Sequence, residues 1–222
     1  MDDAKWERAA GWGGIVFVVL ALASVFLVGS PPMTSDPARE IADFFVDNDD
    51  AIRQSAFVGI LATIPLVWWG AAMYRTVERA TGNARLSVMA AIGIAIGAVA
   101  SCIASVVYAV VAMLGVTGSG GVTGVKFFYV LGTNMNGVVG IGTALLVGAV
   151  SAGILRSGMM ARALGWFGAL VALVALVGSL ISVSGNEAVM AISFVSFLLF
   201  MVWILIVSVL MIRRPAEAGA VT

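Results

Sequence analysis

The chain has 222 residues, 61% hydrophobic and 11% charged, with zero formal net charge and a mean hydropathy of +1.09. Soluble domains carry about 25% charged residues. A chain this poor in charge can neither cover a water-exposed surface nor stay disordered, which leaves an integral membrane protein. The balanced charge offers no basic face for nucleic acid. There is no His and one Cys, Cys102, so an internal disulfide, a Cys/His zinc site and His-held haem are excluded. No metal and no cofactor is implied.

A membrane-crossing helix needs about 20 apolar residues, and six stretches qualify: roughly 11–29, 55–74, 86–115, 127–155, 163–183 and 189–212. They predict an all-α, polytopic membrane helix bundle, one transmembrane domain over 1–222. In the first span, Ala21-Leu22-Ala23 resembles a signal-peptidase site, but the apolar run continues through Val28. The segment is therefore read as a retained helix. The stretch after it, 30–54, is the one sizeable polar part. Asp36 suits an N-cap and Pro37 a first helical position. Ile41, Phe44 and Phe45 share one face, so a short amphipathic helix is expected, on the outer membrane surface or on the bundle. Asp47-Asn48-Asp49-Asp50 lacks the Gly and distal Glu of a calcium loop and reads as a solvated acidic turn.

Pro65 removes a backbone hydrogen bond from the second span and frees the Leu61 carbonyl. The third and fourth spans exceed what a bilayer requires and are expected to tilt or to project outward as a hairpin. Their connection, 115–124, is glycine-rich and flexible by composition. Gly124-Val125-Lys126 does not have the spacing of a phosphate loop. Small residues recur every four positions, as Gly93, Gly97, Ser101 and Ser105 and as Gly140, Ala144, Gly148 and Ala152. Such stripes let membrane helices approach closely, and the simplest partner for each is the other. Arg8-Ala9-Ala10-Gly11-Trp12-Gly13-Gly14 is echoed by Arg162-Ala163-Leu164-Gly165-Trp166-Phe167-Gly168. Duplication explains the echo, and so does convergence on boundary chemistry.

Alternating the connections between two sides puts Lys5, Arg8, Arg75, Arg79, Arg85, Arg156, Arg162, Arg213 and Arg214 on one side, nine against three for Arg39, Arg53 and Lys126. The positive-inside rule then makes both termini cytoplasmic. Trp6, Trp12 and Trp166 flank helices at that boundary.

Further stretches carry a resemblance. They are Ala56–Arg79 with Trp68-Trp69 and Met73-Tyr74-Arg75, then Gly153-Ile154-Leu155-Arg156-Ser157-Gly158, Arg162-Ala163-Leu164-Gly165-Trp166, and Leu198-Leu199-Phe200-Met201-Val202-Trp203 running on to Arg213-Arg214. In these the chain resembles a family of small, largely actinobacterial, six-span membrane proteins with a domain of unknown function. The resemblance implies a multi-pass protein of the bacterial plasma membrane. It supplies no reaction and no catalytic residues.

The six spans hold no Asp, Glu, Lys, Arg or His away from their ends, which removes the usual agents of proton relay, ion passage and acid–base catalysis. The expectation is a non-enzymatic membrane module: an accessory subunit, scaffold or binder of a lipid or apolar ligand. A channel or carrier for a small neutral solute is the alternative. Expected partners are the bilayer itself and a second copy or another membrane protein. Polar side chains gather in the middle and outer parts of the spans, and Thr63, Tyr108, Asn134 and Asn136 are the candidate lining of an outward-opening, uncharged cavity. Interhelical hydrogen bonding accounts for the same residues without a ligand. Reporter fusions after Arg79 and after Arg156 should both read as cytoplasmic, and a periplasmic signal at either would overturn the orientation.

Overall fold

The computed structural model describes residues 3–182 and 188–213. The described residues form seven helices: α1 (Asp3–Val28), α2 (Ala38–Asp47), α3 (Asp49–Thr81), α4 (Ala84–Thr117), α5 (Gly121–Ser157), α6 (Arg162–Ser182) and α7 (Ala188–Arg213). All but α2 are long and apolar enough to cross a membrane, and among the described residues there is no strand. The expected amphipathic helix is α2. Its apolar face lies on the bundle, with Ile41 and Phe45 buried against Val111, Val125 and Tyr129 of α4 and α5. The third expected outer connection, about 184–188, falls at 184–187 outside the described residues.

Local chemistry shifts several boundaries. Asp36 does not cap α2; its carboxylate accepts from the Met33 N–H at 2.7 Å and fastens the turn before the helix. The acidic run is solvent-exposed as expected, but its turn is a single residue. Asn48 alone separates α2 from α3, and Asp49 and Asp50 form the first turn of α3, both paired with Arg53. Carboxylates are stabilised there by the N–H groups that a helix start leaves unpaired. The flexible connection shrinks to Gly118–Gly120, so α4 and α5 run 34 and 37 residues, longer than a bilayer requires. α3 continues through Pro65 as one helix.

The six long helices close a ring. Each touches the next in the order α1, α3, α4, α5, α6, α7, and α7 returns to α1. The ring consists of three hairpins, α1/α3, α4/α5 and α6/α7, and the sequence repeats with them. Arg8, Arg85 and Arg162 open the first helix of each hairpin at an interval of 77 residues. Arg79 and Arg156 end the second helices at the same interval, and Arg213 follows after 57 because the third hairpin is short. Burial obeys the repeat. Leu66, Thr143 and Phe200 are all buried, as are Trp69, Leu146 and Trp203, then Met73, Val150 and Val207, then Val77, Ile154 and Met211. Those positions lie three or four residues apart along α3, α5 and α7, so they form one stripe on each helix. The three second helices thereby form the inner triangle of a quasi-threefold bundle. Trp69 and Trp203 meet there edge to face, with ring centroids 6.2 Å apart.

The small-residue stripes meet differently from the sequence expectation. Gly93 faces α5, where an added Cβ would come 2.6 Å from the Gly142 carbonyl oxygen. In turn a Cβ on Gly142 would lie 2.8 Å from the Gly97 Cα. Gly140 and Gly148 instead face α6, at Ala175 and Ala172. Gly142 is two positions from Gly140, hence on nearly the opposite side of α5. Thus α5 carries two small-residue faces, one for each neighbour. Gly142→Ala should lower the thermal midpoint in detergent, by about the 1–3 kcal/mol of an overpacked contact. Gly97→Ala, whose Cβ meets nothing within 4 Å, should leave it unchanged. Equal midpoints for the two variants would contradict this α4/α5 contact.

Candidate functional site

The polar side chains form layers near the α2 end of the bundle. Lowest is Thr63 on α3, which donates to the Ile60 carbonyl at 2.7 Å and receives Cys102 Sγ of α4 at 3.6 Å. Six residues further along α4, the Tyr108 hydroxyl lies 3.3 Å from Thr133 Oγ1 of α5, and Asn136 reaches the same hydroxyl. Asn134 is exposed and donates to the Val130 carbonyl of its own helix. Of the four candidate residues, Tyr108 and Asn136 are therefore brought together, while Thr63 sits with Cys102 and Asn134 points away from both.

Two features of this end were not singled out from sequence. Tyr129 donates its hydroxyl to the Pro32 carbonyl, and Lys126 Nζ donates to the Asp36 carbonyl at 2.7 Å. Together they tie the segment before α2 down to α5. The Phe45 ring then packs on Tyr129 at 5.4 Å, and Tyr129 packs on Tyr108 at 6.2 Å. A second polar seam joins α1 to α3: Ser24 Oγ and Ser55 Oγ are 3.1 Å apart, and each also donates to the other residue's carbonyl. Gly59 allows the approach, since its Cβ would lie 3.3 Å from Ser24 Oγ of α1. Lone serines in apolar helices give no signal of which neighbour they bond.

The membrane-facing surface holds an open groove between α5 and α6. Ile141, Ala144, Leu145, Ala172, Leu173 and Leu176 line a space of about 350 Å³. Every wall is apolar. A second, polar cleft of about 250 Å³ lies at the arginine end, lined by Ala80, Thr81, Asn83, Arg156 and Ser157. The quasi-threefold relation explains why the groove is at this joint. Ala144 and Ala172 occupy positions filled by Met201 and Val18 where α7 meets α1, and by Val67 and Ala95 where α3 meets α4. Only the α5/α6 joint has alanine on both sides.

Removing the tie at Tyr129 should loosen the α2 strap without unfolding the spans. Tyr129→Phe loses one hydrogen bond, about 1 kcal/mol net, and limited proteolysis should nick residues 30–37 faster. An unchanged cleavage rate would show that the tie carries no weight. Comparison of the chain with protein-family models, with curated proteins and with solved structures finds no match.

Proposed function

We propose that this integral membrane protein is a non-enzymatic module that binds a lipid or another apolar ligand along the α5/α6 joint. The open, wholly apolar groove carries the reading. Its depth supports it. Leu145 and Leu173 each lie 11 residues from an arginine, Arg156 and Arg162, and at about 1.5 Å per residue that is roughly 16 Å. Half the hydrocarbon core of a bilayer is about 15 Å. A phospholipid with its anionic headgroup at those arginines would end its acyl chains in the groove. In this reading the membrane is a bacterial plasma membrane and the arginine end is cytoplasmic, following the nine-to-three Lys/Arg split.

A solute path along the ring axis has less support. The stripes of α3, α5 and α7 meet there as buried side chains, Trp69 and Trp203 among them at 0% exposure. The test is lipid retention. Protein purified in mild detergent should carry phospholipid detectable by native mass spectrometry. Ala144→Met with Ala172→Val imports side chains that the α7/α1 joint already carries, and should cut retention several-fold while the protein stays monodisperse. Retention equal to wild type would end the proposal. Release of a neutral dye from liposomes should match that of empty liposomes, and faster release would favour the carrier reading.

A further inference from the structure

Two of the three joints between hairpins are built alike. Where α7 meets α1, a Cβ on Gly11 would lie 2.7 Å from Ile212 Cγ1, and a Cβ on Gly14 would overlap Ser208 Oγ and come 2.8 Å from Trp69 Nε1. Where α5 meets α6, a Cβ on Gly165 would lie 2.8 Å from Leu155 Cγ, and a Cβ on Gly168 would overlap Ser151 Oγ and come 2.6 Å from Trp203 Nε1. The repeat relates the two joints residue for residue: Gly11 with Gly165, Gly14 with Gly168, Ile212 with Leu155, Ser208 with Ser151, Trp69 with Trp203. The third joint, α3 with α4, has Ala91, Tyr74 and Leu146 at the positions of the glycine, serine and tryptophan. Its hydroxyl is turned to Glu78 Oε1 at 3.5 Å.

Among the described residues, four buried side-chain nitrogen or oxygen atoms have no hydrogen-bond partner: Trp69 Nε1, Ser208 Oγ, Trp203 Nε1 and Ser151 Oγ. They are the two polar joints and nothing else. Such atoms carry a penalty unless something meets them. The serines make the point sharper. A helical serine ordinarily donates to the carbonyl four residues back, as Ser157 and Ser179 do in this protein at 2.8 and 2.7 Å. Ser151 and Ser208 forgo that bond and turn their hydroxyls toward a glycine and an indole N–H.

We infer that each joint holds one buried water molecule, bridging the indole N–H of Trp69 to Ser208 in one and that of Trp203 to Ser151 in the other. The glycine geometry puts each nitrogen at most about 5 Å from its oxygen, close enough for one water to bond to both at about 2.8–3.0 Å. The water accepts from the indole and either donates to the serine or accepts from it. An ion is disfavoured because the surrounding core is apolar and would strip its hydration. A larger molecule has no entry, since both tryptophans and Ser208 are 0% exposed and Ser151 is 1%.

Radiolytic footprinting of the detergent-solubilised full chain tests this, because hydroxyl radicals form in place from bound water. Trp69 and Trp203 should be oxidised despite their burial, whereas Leu146, their counterpart in the third joint, should not. Ser208→Ala should lower oxidation of Trp69 several-fold and spare Trp203, and Ser151→Ala should do the reverse. Near-ultraviolet circular dichroism reports whether the variants keep their packing. If a variant fails to fold, the wild-type measurement decides alone. Unlabelled tryptophans in wild type would overturn the inference and leave a direct N–H···O contact in its place. Labelling that ignores both serines would overturn it as well.

Discussion

Helices in hydrocarbon gain nothing from hiding apolar side chains from one another, because the lipid is equally apolar. What remains is close packing of backbones and a few interhelical hydrogen bonds. In this bundle the decisive contact is glycine against backbone. Gly93 lies on the Gly142 carbonyl and Gly142 on the Gly97 Cα, which brings α4 and α5 together along the middle of the membrane. Gly11 and Gly14 let α1 close on the Ile212 and Ser208 side chains of α7, and Gly165 and Gly168 let α6 close on the Leu155 and Ser151 side chains of α5. Without these notches the tryptophans of α3 and α7 could not reach the axis, and the ring could not close.

With the ring closed, chemistry divides by place. The axis is filled by four tiers of buried side chains. Satisfied hydroxyl pairs such as Ser24 with Ser55 lie toward the α2 end, and unsatisfied ones lie where hairpins meet. An open apolar space lies on the perimeter, at the joint with alanine on both sides. A ligand that uses it approaches from the bilayer, sideways, and has no reason to cross.

Much of this was legible in the sequence. Apolar runs located the six spans, and the face shared by Ile41, Phe44 and Phe45 located α2. The outer cavity was less legible, because polarity says that a residue needs a partner and not which one. Asn134 and Asn136 differ by two positions, and only Asn136 reaches Tyr108. The stripe from Gly140 to Ala152 was visible as a stripe, but α5 has another neighbour, and period-four spacing cannot say which helix a face meets. The repeat was half visible. The Arg-Gly-Trp echo links the first and third hairpins, while the second carries Val88 and Met89 at the glycine and tryptophan positions. Only the matching burial of Leu66, Thr143 and Phe200 and of the tiers beyond them restores the 77-residue register.

Each hairpin contains two spans, an even number, so each copy enters the membrane with the same sidedness as the one before it. Growth by such units needs no inversion of topology, unlike repeats with an odd number of spans. The ring that results is circular in space as well. The arginine end of α7 packs beside the start of α1, Ile212 against Gly11. A chain opened instead at the turn after Gly82, or after Gly158, with α7 spliced to α1, would thread the same six helices in the same cyclic order. Which hairpin comes first along the chain is then not dictated by the ring.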